Sequence, residues 1–260
     1  MGLVRRTLIP GLVLIVALAG LATPAHADPA VDPKLTKSTL YSTGTIPRSV
    51  CAEKPIKQRN NAAAGRAYIT FVVGCLDRVW SKQLAKKGIK FKKPKLKLLA
   101  KDPARYCGIK WINTSDIDYC ESSRELMAVL DRTILNLDPD DLYIFTSLSN
   151  AYAEHVQYLA GIEGAMWKIL PEENEPGYAE VNRRTFLQAF CLSGAFTGSV
   201  FKSMPRKTSE WNYMVKAQTK LLAGEFLGSA KNITYWMNRG FNTRNPKYCN
   251  TWTASNSQVA

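Results

Sequence analysis

The sequence predicts an α+β domain, mainly α, with a small sheet in its N-terminal half and a helical C-terminal half. Three observations carry this. Apolar residues recur at helical spacing in five stretches, near residues 61–87, 140–159, 178–201, 208–223 and 229–240. Between the first two, that period gives way to short apolar runs set among lysine, proline and aspartate, such as Leu96-Lys97-Leu98. The helical stretches end or begin at residues suited to stops and caps, with Gly88 after the first and Ser229 before the last. A chain of 260 residues is long enough for one domain with a substantial core.

Taken in order, residues 1–27 read as a secretory signal peptide. Arg5 and Arg6 form a charged head, Leu8 to Ala22 an apolar run, and Ala25-His26-Ala27 a small-residue cleavage site. The run is short for a membrane span, so the mature chain is expected to be secreted after cleavage near Ala27. Residues 28–60 are rich in Pro, Thr, Ser and Lys without a sustained period, which predicts an extended, partly loose arm. In the first helix Tyr68, Val72, Cys75, Val79 and Leu84 share a face. Leu96-Lys97-Leu98 predicts an edge strand, its lysines discouraging stray strand pairing. Cys107 to Cys120 reads as a looped or hairpin region. Glu121 to Leu130 fits no single template, and Arg132 to Leu137 is expected to be the last strand of the sheet. Asp138 or Asp140 can cap the next helix, whose buried face is Leu142, Phe145, Tyr152, Val156 and Leu159. Asn174 to Gly177 predicts a turn. Residues 61–249 are read as one domain and residues 250–260 as a polar, loose tail. No internal repeat is visible.

The formal net charge is +14, and loss of Arg5 and Arg6 with the signal lowers it by two. Much of the excess is local, at Lys86, Lys87, Lys90, Lys92, Lys93, Lys95, Lys97 and Lys101. Such a segment can attract an anionic envelope polymer or an acidic membrane surface; it can equally be a solvated connection that keeps an exported protein soluble. Phe91 alone among the lysines makes no stacking platform, which argues against nucleic acid. All six cysteines follow the signal, and an even number in an oxidising compartment argues for disulfides. The sequence does not choose among pairings; the preferred set is Cys107–Cys120, which closes a short loop, Cys75–Cys191, which joins two helices, and Cys51–Cys249, which ties the ends together. No C-x-x-C pair is present to suggest a metal.

Several segments, in order across residues 62–241, resemble the bacterial neutral zinc metallopeptidases, a zincin-like family. Gly74-Cys75-Leu76-Asp77-Arg78-Val79-Trp80 is similar to the family's early C-L-x-x-x-W helix, and Cys107-Gly108 and Tyr119-Cys120 to its C-G and Y-C pair. Arg183-Arg184-Thr185-Phe186-Leu187-Gln188-Ala189-Phe190-Cys191 is similar to R-R-x-E-L-Q-A-D-C, and Trp236-Met237-Asn238-Arg239-Gly240-Phe241 to its closing helix. The zinc helix of that family reads H-E-Y-G-H-H-V-Q. Here the stretch is Asn150-Ala151-Tyr152-Ala153-Glu154-His155-Val156-Gln157. The resemblance implies that Asn150 and Glu154 stand at the two histidine ligand positions and Ala151 at the general base. It puts Phe186 where the third ligand would be and Phe190 at a supporting aspartate.

The chain has two histidines, and His26 lies in the signal. A lone His155 beside an apolar stripe is expected to be a hydrogen-bonded core histidine, with Tyr152 and Gln157 lining whatever cleft survives. Replacing ligands by phenylalanine would fill the vacated volume, each buried ring contributing on the order of 2 kcal/mol. The resemblance thus implies a metal-free, inactive relative: no catalytic residue, no zinc, and a cleft serving to bind or scaffold an unidentified protein or peptide. Two other readings stay open, a hydrolase using other residues and a polyanion binder acting through the lysine segment. Against the first, no G-x-S-x-G or S-x-x-K motif occurs.

Overall fold

The structure is a computed structural model and describes residues 32–56, 60–111, 117–130, 135 and 141–260. The signal peptide, the proposed caps at Asp138 and Asp140 and most of the strand expected at 132–137 lie outside the described residues; Leu135, within that span, is helical. Among the described residues the architecture is α+β, mainly helical, with a small mixed sheet.

The first long helix, α2 (Ala62–Ala85), starts where the Asn61 side chain accepts the Ala64 N–H and stops just before Gly88, whose φ is +69°. A short helix, α1 (Pro33–Thr36), precedes it. The arm is not loose: Leu35, Leu40, Ile46 and Cys51 are buried in the main core. Glu53 fixes its far end. That carboxylate has no solvent exposure, takes two 2.8 Å bonds from Arg206 and accepts the Tyr68 hydroxyl. Arm, α2 and the approach to a later helix thus meet at one buried ion pair.

Strands β1 (Lys95–Leu99), β4 (Ile117–Cys120) and β5 (Glu125–Val129) form a sheet in the order β1-β5-β4, with β1 parallel and β4 antiparallel to β5. A separate hairpin pairs β2 (Arg105–Tyr106) with β3 (Ile109–Lys110) through a turn at Cys107 and Gly108, both at positive φ as a two-residue hairpin turn requires. The lysine-bearing β1 is the edge strand, as its alternation predicts. The central strand is β5, in the stretch that fitted no template. Leu126 and Ala128 face the main core while Met127 and Val129 pack with Tyr106 and Cys120 on the other side. A strand buried on both faces has no polar alternation to read.

Four further helices build the rest: α3 (Asp141–Leu159), α5 (Tyr178–Val200), α6 (Thr208–Leu222) and α7 (Ala230–Thr243), with the short α4 (Ile162–Met166) between the first two. Helices α5 and α7 touch backbone to backbone. A Cβ at Gly194 would lie 2.2 Å from the Met237 carbonyl oxygen, and one at Gly240 would lie 1.8 Å from that of Cys191.

The tail is ordered by its neighbours. Arg184 donates to the carbonyls of Thr251 and Ala254, Trp236 to that of Gln258 and Asn232 to that of Ala260. Thr251, Trp252 and Val259 are buried, and α8 (Asn256–Val259) ends the chain. Polar composition here reflects capping rather than looseness.

Three disulfides form: Cys51–Cys75, Cys107–Cys120 and Cys191–Cys249. The short loop pairs as expected; Cys75–Cys191 and Cys51–Cys249 do not form. Cys75 on α2 faces the arm and Cys191 on α5 faces the C-terminal segment, so each helix staples one chain end instead of the other helix.

Candidate functional site

Helix α3 runs between α2, β4 and α5 and is buried over most of its circumference, which is why its apolar stripe is wide. Phe145, Leu148, Tyr152 and Val156 have no exposure, and Ser149, His155 and Gln157 are buried beside them. Polar groups inside such a helix ordinarily find partners, and here they point in three directions.

Toward the sheet and the lysine segment lies His155. Its Nε2 is 2.6 Å from the Lys92 carbonyl oxygen and its Nδ1 is 2.8 Å from the Tyr119 hydroxyl. A carbonyl only accepts, so Nε2 carries the proton and Nδ1 accepts from Tyr119. Burial lowers the affinity of the ring for a second proton. Aromatic rings enclose it, with the centroids of Tyr119, Tyr152 and Tyr158 at 5.3, 5.6 and 6.2 Å. Tyr152 donates to Asp77 at 2.6 Å, and Asp77 pairs with Lys93 at 3.1 Å. Lys92 and Lys93 are therefore fastened over the middle of α3 through one backbone carbonyl and one ammonium.

Toward α5, Gln157 donates to the Thr185 carbonyl and to the Gln188 side chain, and Gln188 donates in turn to Tyr41 and the Cys249 carbonyl. Phe190 is buried, and Phe186 is half-buried against the same core. Asn150, at the position matching the family's first ligand, has a buried Oδ1 without a hydrogen-bond partner; Ala151 beside it is buried.

The third direction is acidic. Glu154 keeps partial solvent contact although protein crowds its carboxyl. Its proton affinity is raised well above the ordinary value by burial first, then by Asp118 and Glu163. Asp118 on β4 is pushed up to about 6 by burial. Glu163 on α4 is pushed up to about 9 by burial, by the charge of Glu121 and by a hydrogen bond to it. Glu163 Oε2 has no partner, while Glu121 accepts the Trp167 indole N–H. Near neutral pH, Glu163 is a protonated acid.

These residues do not fit a catalytic zinc. The helix offers one amide and one carboxyl where two imidazoles would be needed. His155 lies about 100 degrees round the helix from Glu154 and has both ring nitrogens engaged. Among the described residues no group of three or more His, Cys, Asp or Glu side chains is placed to hold a metal ion.

The lysine segment divides. Lys86 donates to the Thr45 carbonyl and to Gln83, Lys93 holds Asp77 and Lys97 holds Glu125 at 3.2 Å. Lys87, Lys90, Lys92, Lys95 and Lys101 are exposed. Sequence reasoning did not single out Asp77, Asp118 or Glu163. A carboxylate among the apolar residues of α2 was a visible hint for Asp77; the other two depend on long-range packing that leaves no local pattern. No protein-family model, curated protein or solved structure matches this chain.

Proposed function

We propose that the chain is an exported, metal-free relative of the neutral zinc metallopeptidases, catalytically inactive, that binds a protein or peptide on the side of α3 where Glu154 keeps partial solvent contact. The observation that carries this reading is the fate of α3. The helix that would present ligands and a base presents Asn150, Ala151 and Glu154, and His155, the one imidazole near it, is spent on Tyr119 and Lys92. A neutral, doubly bonded histidine is a structural group and offers no lone pair for a metal. The zincin-like assignment rests on the ordered segments of sequence; a buried helix beside a small sheet is compatible with it. Export is supported by the three disulfides, and no described helix is long and apolar enough to cross a membrane.

Restoration tests the reading. Asn150→His, Ala151→Glu, Glu154→His and Phe186→Glu together are expected to give about one chelator-removable zinc per chain, against far less in the parent. A parallel variant with only Asn150→His and Glu154→His leaves Phe186 in place and is expected to bind cobalt weakly through a histidine pair one turn apart. Folded variants, checked by circular dichroism, that take up neither metal would sink the reading. Stoichiometric zinc in the parent would do the same.

A further inference from the structure

A concave site lies away from α3, where the arm, α7 and the C-terminal segment meet. It is an open cleft of about 780 Å3, within the range of small-molecule sites. Its lining is of three kinds. Ser, Thr, Asn and Gln side chains make up nearly half of it, among them Ser42, Thr253 and Gln258. Aromatic rings form a wall, with Tyr235 and Tyr248 exposed by 36% and 41%. Three cations, Lys37, Arg239 and Lys247, also line it, and no aspartate or glutamate does.

Arg239 is built in. Its Nε donates to the Tyr248 carbonyl at 2.8 Å and its Nη1 to the Tyr235 hydroxyl at 2.6 Å. Its guanidinium carbon lies 5.5, 5.8 and 5.2 Å from the ring centroids of Tyr235, Trp236 and Tyr248. Gln258 donates to the same Tyr235 hydroxyl. The guanidinium is thus fixed among aromatic faces, which pre-organises it without neutralising it. Lys37 and Lys247 are exposed on the arm and on the segment after α7. None of the three cations has a carboxylate partner among the described residues.

We infer that this site binds a short acidic oligosaccharide. The unmatched positive charge of the lining favours an anionic group. Flat rings with a polar tip suit the apolar face of a sugar, and neutral hydroxyl and amide groups suit its hydroxyls. Arg239 Nη2, not used by the bonds to Tyr248 and Tyr235, can donate a charge-assisted hydrogen bond to a carboxylate oxygen. None of its lining lies on α3, so the inference stands whether or not α3 binds a peptide.

Isothermal titration of the full mature chain with a galacturonate trisaccharide tests this. Binding is expected, weakened by salt, with the neutral maltotriose at least about tenfold weaker, the loss of one good ionic contact. Lys37→Gln with Lys247→Gln, both on the surface, should weaken binding about tenfold at unchanged melting temperature. Tyr248→Ala should weaken it for the acidic and the neutral sugar alike. Replacing Lys90, Lys92, Lys93 and Lys95 by glutamine should leave it unchanged. Four results overturn the inference: no binding; equal competition by inorganic sulfate, which marks a bare anion site; tighter binding of a short single-stranded oligonucleotide of equal charge; or loss of binding only in the Lys90–Lys95 variant.

Discussion

Glu163 shows how one residue reports on the acidic side of α3. Its carboxyl is raised from an ordinary 4.5 to about 9, chiefly because protein replaces water around it. A carboxyl with a raised value holds its proton more tightly in the folded chain than in the unfolded one. It therefore favours folding fully below the unfolded value, and that advantage is lost as the pH climbs toward the folded value. For Glu163 the window is about 4.5 to 9; Asp118 adds to the decline between 3.8 and about 6. Within its window one such group costs at most about 1.4 kcal/mol of stability per pH unit. Glu163→Gln keeps the shape and removes the titration. Urea unfolding at pH 5, 7 and 9 is expected to show the parent losing stability steadily and the variant losing markedly less, with the two nearly equal at pH 5. An unchanged slope in the variant would mean that Glu163 is not the proton-holding group described. His155 makes the complementary point. Burial lowers its affinity for a second proton against the opposing pull of the Lys92 carbonyl and Asp77, so it adds no charge to the acids near it.

At the scale of elements, the contact of α5 with α7 is the closest in the fold, and glycine makes it. Alanine is ordinarily preferred over glycine inside a helix by about 1 kcal/mol. At Gly240 the added methyl would meet the Cys191 carbonyl oxygen, a backbone atom that cannot swing aside. Gly240→Ala is therefore expected to destabilise by about 1–3 kcal/mol or more, as overpacking does. Gly74, exposed inside α2 with nothing within 4 Å of where an added methyl would sit, provides the control; Gly74→Ala should stabilise by about 0.5–1 kcal/mol. Denaturation midpoints moving in opposite directions would establish that close approach, not helix propensity, governs Gly240. The same contrast explains what was legible in the sequence. Helical period and length announced the helices, and α2, α3, α5 and α6 begin and end within a few residues of the expected bounds. Strand β1, polar on its exposed side, was equally readable. Strand β5 was not, because burial on both faces removes the alternation. At the centre of α3, the partners of His155, at Tyr119 and Lys92, lie 36 and 63 residues away in sequence and no local pattern encodes them.

At the scale of the whole described body, the arm and the C-terminal segment are stapled to the helices, an arrangement that cysteine spacing alone leaves open. Cys51–Cys75 fixes the arm on α2, and Cys191–Cys249 fixes the C-terminal segment on α5 across 58 residues of sequence. Arm and C-terminal segment also bond each other, Asn250 to the Thr36 carbonyl and the Ile46 N–H to the Arg244 carbonyl. In the chain-entropy picture the 58-residue closure restrains the unfolded state by about 4 kcal/mol and the 13-residue Cys107–Cys120 closure by about 3. Access separates them further. Attack by a thiolate needs a reachable sulfur; Cys107 is exposed in its hairpin turn, whereas Cys51 and Cys75 are 1% exposed and Cys191 and Cys249 fully buried. Reduction of the native protein, quenched by alkylation and mapped by mass spectrometry, is thus expected to run in two stages. Cys107 and Cys120 label first, with the far-ultraviolet circular dichroism unchanged. The other four cysteines label together at the rate of global unfolding, and urea below the unfolding midpoint accelerates the second stage far more than the first. Early labelling of Cys191 and Cys249 with the helical signal intact would show that the C-terminal segment opens independently of α5, and the picture of two stapled ends closing one core would have to be abandoned.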